Sequence, residues 1–334
     1  MRTSLYHKTK LALVGLLAAT LCGAPLAAIP AGAADEVHTG YMPLLSFAPL
    51  FVAQEKGFFA EQNLTLKLSR FADAGKQMAP LATGELEVAS GSPSAGLYNA
   101  IASGQNFRIV ADKGQAKKGF AFLPLVVRKD LYDSGKVRSV ADIKGLIIGQ
   151  VAKGSASEYN LYRMAKKAGL NFTELTQRYL EPPKQYQALK NKALDVLSTV
   201  EPWGTRSVID GDAVLLATAE YWLDRPVFQI AVIMFSGKFM KERNDAAQRW
   251  VDAYVKGINF LQKHGWTSPE IDPMLQKWTK VPPPIIAKAI PPYFAPDGRV
   301  DKESLVLAQE FYFEQGLVKK KISMDVAVDM RYIR

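Results

Sequence analysis

Residues 145–158 read Gly-Leu-Ile-Ile-Gly-Gln-Val-Ala-Lys-Gly-Ser-Ala-Ser-Glu, and a second apolar run ends at residues 198–203 in Ser-Thr-Val-Glu-Pro-Trp. The short apolar run at 146–151 predicts a buried strand. It stops at Ala152-Lys153-Gly154-Ser155, after which Tyr159, Tyr162 and Ala165 recur at helical spacing. The first N–H groups of a helix have no partner inside it, and the helix dipole favours negative charge there. Gly154 followed by Ser155 and Ser157 therefore predicts a small concave site for an anion or a polar ligand edge. Glu201, Pro202 and Trp203 close the second run and predict a wall of the same pocket. The pair reads as one lip of a ligand cleft.

Working outward, the same alternation fills the chain on both sides. Upstream, a strand at 36–41 ends at Met42-Pro43, and Ser46 stands where a helix N-cap would, with Pro49 in the first turn. Leu64, Leu66 and Leu68 alternate with polar residues as in a half-buried strand. Asp73-Ala74-Gly75 starts a helix; a strand at 87–90 runs into Gly91-Ser92-Pro93-Ser94, and 107–110 is strand again. Downstream, strands are expected at 176–180, 196–200 and 213–217, separated by helical stretches. Strands alternating with helices through short polar turns predict a mostly parallel α/β sheet. Two longer β runs, 120–127 and 229–235, flank the central unit like a two-stranded hinge. They divide the chain into a discontinuous first lobe, 36–125 plus 232–334, and an inserted second lobe, 126–231, with hinges near 126–129 and 228–232. From Phe239 the pattern is helical, broken at prolines 282–284 and 291–292.

The chain has 334 residues, enough for two ordinary domains, and its 48% hydrophobic and 22% charged shares are those of a globular protein. Arg2, Lys8 and Lys10 precede an apolar run at 11–21, and Ala31-Gly32-Ala33 supplies small residues before Asp35. That order predicts a secretory leader, residues 1–33, cleaved after Ala33, hence a periplasmic protein. The only cysteine, Cys22, lies inside the leader, and Leu21 before it is not the small residue that a lipid-anchoring site needs. Without the leader the net charge falls from +10 to +7. Lys319-Lys320-Lys321 is too short for a nucleic-acid site, so none is expected; an anionic ligand is compatible with the charge.

Gly40-Tyr41-x-Pro43, Glu55-Lys56-Gly57-Phe58-Phe59, Ser139-Val140-Ala141-Asp142-Ile143-Lys144-Gly145, Gly154-Ser155 and Glu201-Pro202-Trp203 follow one another in an order that resembles periplasmic substrate-binding proteins of ABC importers. Within these, the nitrate/sulfonate/taurine branch is the most similar, over most of residues 37–265. The resemblance implies a type II periplasmic-binding-protein fold: two α/β lobes, two crossovers, a small-molecule ligand between them, and a closed form that docks as a monomer on an ABC permease. Relatives bind sulfonates, nitrate, aromatic acids, pyrimidines or flavins, so the ligand class stays open between a small organic anion and a heterocycle.

Ligand contacts in such an architecture come from strand C-terminal ends and helix N-termini. These are Tyr41, Pro43 and Ser46; Gly75; Ser90, Gly91, Ser92 and Ser94; Gly154, Ser155 and Ser157; Glu201 and Trp203; and Tyr221. Each has a plainer competitor. The serines cap helices equally well. Glu201 can hold its own turn or pair with Arg206, and Trp203 and Tyr221 can fill core. Asp73 reads as a cap, and Arg108 and Arg128 as surface. An enzyme on the same fold is the competing class. It would need an acid/base or metal constellation, and outside the leader only His38 and His264 are available. No cofactor, no metal and no catalytic residue is expected.

Overall fold

Strand β1 (Asp35–Tyr41) opens the part of the chain that the structure, a computed structural model, describes, residues 34–334. The leader expected at residues 1–33 lies outside the described residues. After β1 come β2 (Leu64–Arg70), β3 (Val88–Gly91), β4 (Phe107–Ala116), β5 (Leu125–Arg128), β6 (Ile147–Gln150), β7 (Thr176–Tyr179), β8 (Val196–Ser198), β9 (Ala213–Ala217) and β10 (Phe228–Ser236). They form two five-stranded sheets flanked by helices, β2-β1-β3-β10-β4 and β7-β6-β8-β5-β9. Position in the sheet explains the sequence patterns. At the edge, β2 pairs only with β1 and alternates, whereas the interior strand β10 is buried at every residue and reads as continuous apolar sequence.

In each sheet four strands run the same way and one is reversed. β10 is antiparallel to β3 and β4, and β5 is antiparallel to β8 and β9. Both reversed strands are the first to follow a passage from one sheet to the other, at 117–124 and 218–227. The residues expected as hinges, 126–129 and 228–232, instead lie within or at the end of β5 and at the start of β10. Ladder hydrogen bonds join these residues to the neighbouring strands. The strand expected over 120–127 is correspondingly short. Carbonyls of Phe122 and Pro124 still accept from Glu201 and Thr199 N–H, but Pro124 has no N–H to return.

Helices Ala48–Glu55 and Asn244–His264 pack against the first sheet beside Val37, Val88 and Phe235. Trp250 is fully buried, stacked on Tyr254 at 5.3 Å and edge-on to Phe235 at 5.5 Å. The two helices touch closely because residue 257 is glycine: a Cβ there would lie 2.4 Å from the Pro49 carbonyl oxygen. A second apolar cluster runs without a break from the first sheet (Ile109, Val232) to the second (Ile148, Val196). Residues 34–334 accordingly form one compact unit holding two lobes.

The helical C-terminal third has a definite place in this arrangement. Helix Lys302–Glu314 lies against helix Ala95–Ala102, where Tyr98 OH donates to the Leu305 carbonyl at 2.9 Å. On its other side Phe311 stacks on Tyr162 of helix Ala156–Lys167 at 4.5 Å. One helix thus packs on elements that follow strands of both sheets.

Candidate functional site

The parallel strands β1, β3 and β4 end at Tyr41, Gly91 and Ala116, and β6, β8 and β9 end at Gln150, Ser198 and Ala217. Turns from these two sets of ends meet directly. Ala95 N–H donates to the Gly154 carbonyl at 2.8 Å, and Ala156 N–H donates to Ser92 Oγ at 3.0 Å. Gly154, with φ +66, allows this approach: a Cβ at that position would stand 2.7 Å from Ala95 Cβ.

Several of the groups expected at this turn are engaged by protein. Gly154 N–H goes to Glu158 Oε2 at 2.6 Å and Ala156 N–H to Ser92. Ser155 makes no capping bond; its hydroxyl donates to the Ala152 carbonyl at 2.7 Å and meets Ser157 Oγ at 2.9 Å. The Ala156–Ser92 bond is a tertiary contact, invisible in a local pattern, while the others lie within the turn itself.

Other candidates fall into three groups. Some do structural work: Ser94 caps its helix by accepting from Leu97 N–H at 3.3 Å, Gly91 backs onto Ala74, and Gly75 is exposed. The aromatic candidates already touch protein groups. Tyr41 lies edge-on to Phe51 and Trp278 at 5.8 and 5.5 Å. Trp203 is 6.2 Å from the ring of Tyr186, and Tyr221 lies under Lys167 at 5.2 Å. Pro43 is half-buried in the turn after β1. In the third group the side chains are buried at the strand ends. Ser46, expected as a cap, makes no capping bond and accepts instead from Lys113 Nζ at 2.8 Å. Ser90 has its backbone bonded to the Gln77 amide, but Ser90 Oγ finds no partner among the described residues.

Two further side chains share that last condition and escaped the sequence reading. Both amide atoms of Gln150 and the Thr199 hydroxyl are buried without a hydrogen-bond partner among the described residues; their residues are 0% exposed. The signal was available: a glutamine ending an otherwise apolar strand, and a threonine one step past the end of β8. A buried polar group left unpaired costs about 1–3 kcal/mol. With Ser90 Oγ, these are three residues at or beside strand ends whose polar atoms lack partners among the described residues. Among the described residues no cluster of three metal-ligating side chains occurs. An open groove of about 500 Å³ beside edge strand β4, lined by Gln115, Tyr293 and Arg299, contains none of the unpartnered groups.

Glu201 is buried, next to a cis bond to Pro202, and accepts from Thr205 N–H at 3.1 Å and Thr205 Oγ1 at 2.9 Å. Burial pushes its carboxyl up from 4.5 to about 7, against the pull of the Thr205 bonds and of Ile290 N–H. A carboxyl whose folded pKa exceeds its unfolded value keeps its proton longer in the folded state. Its contribution to stability is then full below pH 4.5 and is lost as pH rises to about 7. Across that window the wild type is expected to lose about 3 kcal/mol relative to Glu201→Gln. Denaturant titrations of both proteins from pH 4 to pH 8 check this; parallel stability curves would rule it out.

Comparisons with known proteins agree with this architecture. The bicarbonate transport ATP-binding protein CmpC of Synechocystis sp. is 30% identical over 242 residues, 68% of this chain and 34% of CmpC. The nitrate/nitrite binding protein NrtA of Nostoc sp. is 24% identical over 61% of this chain and 50% of its own length. The chain thus spans about a third to a half of these relatives. Among solved structures, the alkanesulfonate-binding protein SsuA of Xanthomonas axonopodis pv. citri, bound to MOPS, superposes with a TM-score of 0.73 at 19% identity, covering 89% of this chain and 98% of SsuA. The desulfurization enzyme DSZB shares the fold at a TM-score of 0.65 and 16% identity, covering 89% of this chain and 97% of DSZB. The NMT1-like family model matches residues 31–268, most of the two-sheet body, and the chain belongs to that family.

Proposed function

We propose that this chain is the solute-binding component of an ABC importer, capturing a small organic or inorganic oxyanion between its lobes and handing it to the membrane permease. The observation that carries this reading is the set of buried, unpartnered groups at Ser90, Gln150 and Thr199, which a solute bearing several oxygen atoms would satisfy from both sheets at once. The relatives' names point the same way, toward bicarbonate, nitrate and sulfonates. Tyr41, Trp203 and Tyr221 already lie against protein groups, which favours a compact anion over a flat heterocycle needing a stacking platform.

In this proposal the lobes turn about the passages at 117–124 and 218–227, and opening breaks the Ala95–Gly154 and Ala156–Ser92 bonds. The solute biases the closed state because only there does it touch both sheets. The protein works as a periplasmic monomer, delivered by the leader at residues 1–33. Among the described residues no helix is long and apolar enough to cross a membrane. It binds rather than transforms its solute: His38 pairs with Glu36 and His264 with Glu270, away from the unpartnered groups, whose hydroxyls and amide donate and accept hydrogen bonds without acid/base function near neutral pH.

The test is the melting temperature of the purified protein with bicarbonate, nitrate, alkanesulfonates, taurine, aromatic carboxylates, pyrimidines and flavins in turn. A bound solute at a hundred times its Kd adds about 2.7 kcal/mol, a rise of roughly 5 °C for a chain of this size. A rise with one oxyanion class at one-to-one stoichiometry is expected. No rise with any of them, or turnover of one of them, would reverse the assignment.

A further inference from the structure

Lys113 is 2% exposed on β4, in a stretch that the sequence reading ended at residue 110. Its ammonium carries three donors, and one hydrogen bond is formed, to Ser46 Oγ at 2.8 Å. The Phe47 ring lies on one side, 3.8 Å from Nζ. No carboxylate approaches within salt-bridge distance of it among the described residues. The neighbouring Asp112 is occupied elsewhere: Oδ1 accepts from Gly114 N–H at 2.8 Å and Gln229 Nε2 at 2.7 Å, and Oδ2 accepts from Ala295 N–H at 2.8 Å. A buried cation with spare donors and no counterion is costly to keep, and it persists where a partner arrives from outside.

Sheet order places that cation at the site. Lys113 springs from β4, and its Nζ reaches Ser46, which follows β1; β3 and β10 lie between those two strands. Within the sheet Val232 of β10 pairs with both Gly91 and Asp112, and Ile233 with both Ser90 and Ala111, so Lys113 stands two residues farther than Ser90 along the shared strand direction, toward the strand ends. The side chain leads from β4 toward the segment that follows β1, and β3, which lies between, carries the unpartnered Ser90 just before its last residue, Gly91.

We propose that the Lys113 ammonium, steadied by Ser46, is the charge partner of the solute, which therefore carries a carboxylate, sulfonate or similar oxyanion head at the first sheet and offers its remaining polar atoms to Gln150 and Thr199 of the second. This rests on the solute-binding reading above and names the residue that meets the charge of the oxyanion. Burial lowers the Lys113 pKa to about 7, an effect that the Asp112 charge only partly offsets; an anion beside the ammonium would hold its proton in place.

The experiment titrates wild type, Lys113→Met and Ser46→Ala with matched probes: acetate and acetamide, benzoate and benzamide, ethanesulfonate, nitrate and bicarbonate. Affinity comes from calorimetry, and ligand-free melting temperature reports folding. Lys113→Met removes an unpaired buried charge in favour of an apolar chain of similar shape, so its ligand-free melting temperature should match or exceed the wild type's. The anion bound by the wild type should bind Lys113→Met at least about a hundredfold more weakly, since an unscreened charge pair in a buried site is lost. Ser46→Ala should bind it about tenfold more weakly and so keeps the test open if Lys113→Met fails to fold. Binding of the same anion by Lys113→Met within threefold, or a wild-type preference for the neutral amide of a pair, would overturn the Lys113 assignment and leave the solute-binding reading standing. Binding of no probe by the wild type would overturn both.

Discussion

Phe311→Ala is expected to destabilise the protein by about 3–5 kcal/mol, the usual loss when a buried phenylalanine is cut back and its cavity cannot collapse. Phe311 is 2% exposed. It stacks on Tyr162 at 4.5 Å and meets Tyr159, Phe172 and Tyr312 at 5.4, 5.7 and 5.4 Å. Rings of that size cannot slide into the space without leaving their own contacts, so the cavity term adds to the lost transfer energy. Two residues on, Phe313 is 43% exposed, and Phe313→Ala should change stability by no more than about 0.5 kcal/mol. Urea unfolding of the three proteins decides it. A loss below about 1 kcal/mol for Phe311→Ala would mean that helix Lys302–Glu314 is not part of the core.

The second large effect is expected on affinity. Gly154→Ala puts a Cβ 2.7 Å from Ala95 Cβ, across a turn-to-turn contact that carries two hydrogen bonds between the lobes. Overpacking of this kind costs about 1–3 kcal/mol, which falls on the closed state, so solute affinity should drop roughly tenfold to a hundredfold. The positive φ adds a strain of about 1–2 kcal/mol that has nothing to do with closure. Gly169→Ala separates the two: it has φ +75 but no atom within 4 Å of the added Cβ. Both variants should lose stability, and only Gly154→Ala should lose affinity. Equal affinities in the two would remove Gly154 from the closing contact.

Local pattern carried the fold a long way. Alternation in β2, continuous burial in β10 and the turn chemistry after β3 and β6 all follow from short-range rules. So does the two-lobed division, because a strongly apolar strand follows each passage. The site was legible only in part. The serine turns after β3 and β6 were found, but the hydroxyl of Ser94 caps a helix, and Ser92 and Gly154 bind each other's turns. Gln150 was missed because it is a single polar residue ending an apolar strand, and Thr199 and Lys113 because each stands in a short polar run, Ser198-Thr199 and Asp112-Lys113, that no local rule marks as buried.

The sequence alone determined most of the strands and helices and the division into two α/β units, since both depend on side-chain periodicity and backbone chemistry within a few residues. Only the tertiary structure decided which polar groups are satisfied. Whether Ser46 caps a helix or holds Lys113 depends on an atom 67 residues away in the chain. Hydrogen bonding and burial are properties of that assembled neighbourhood.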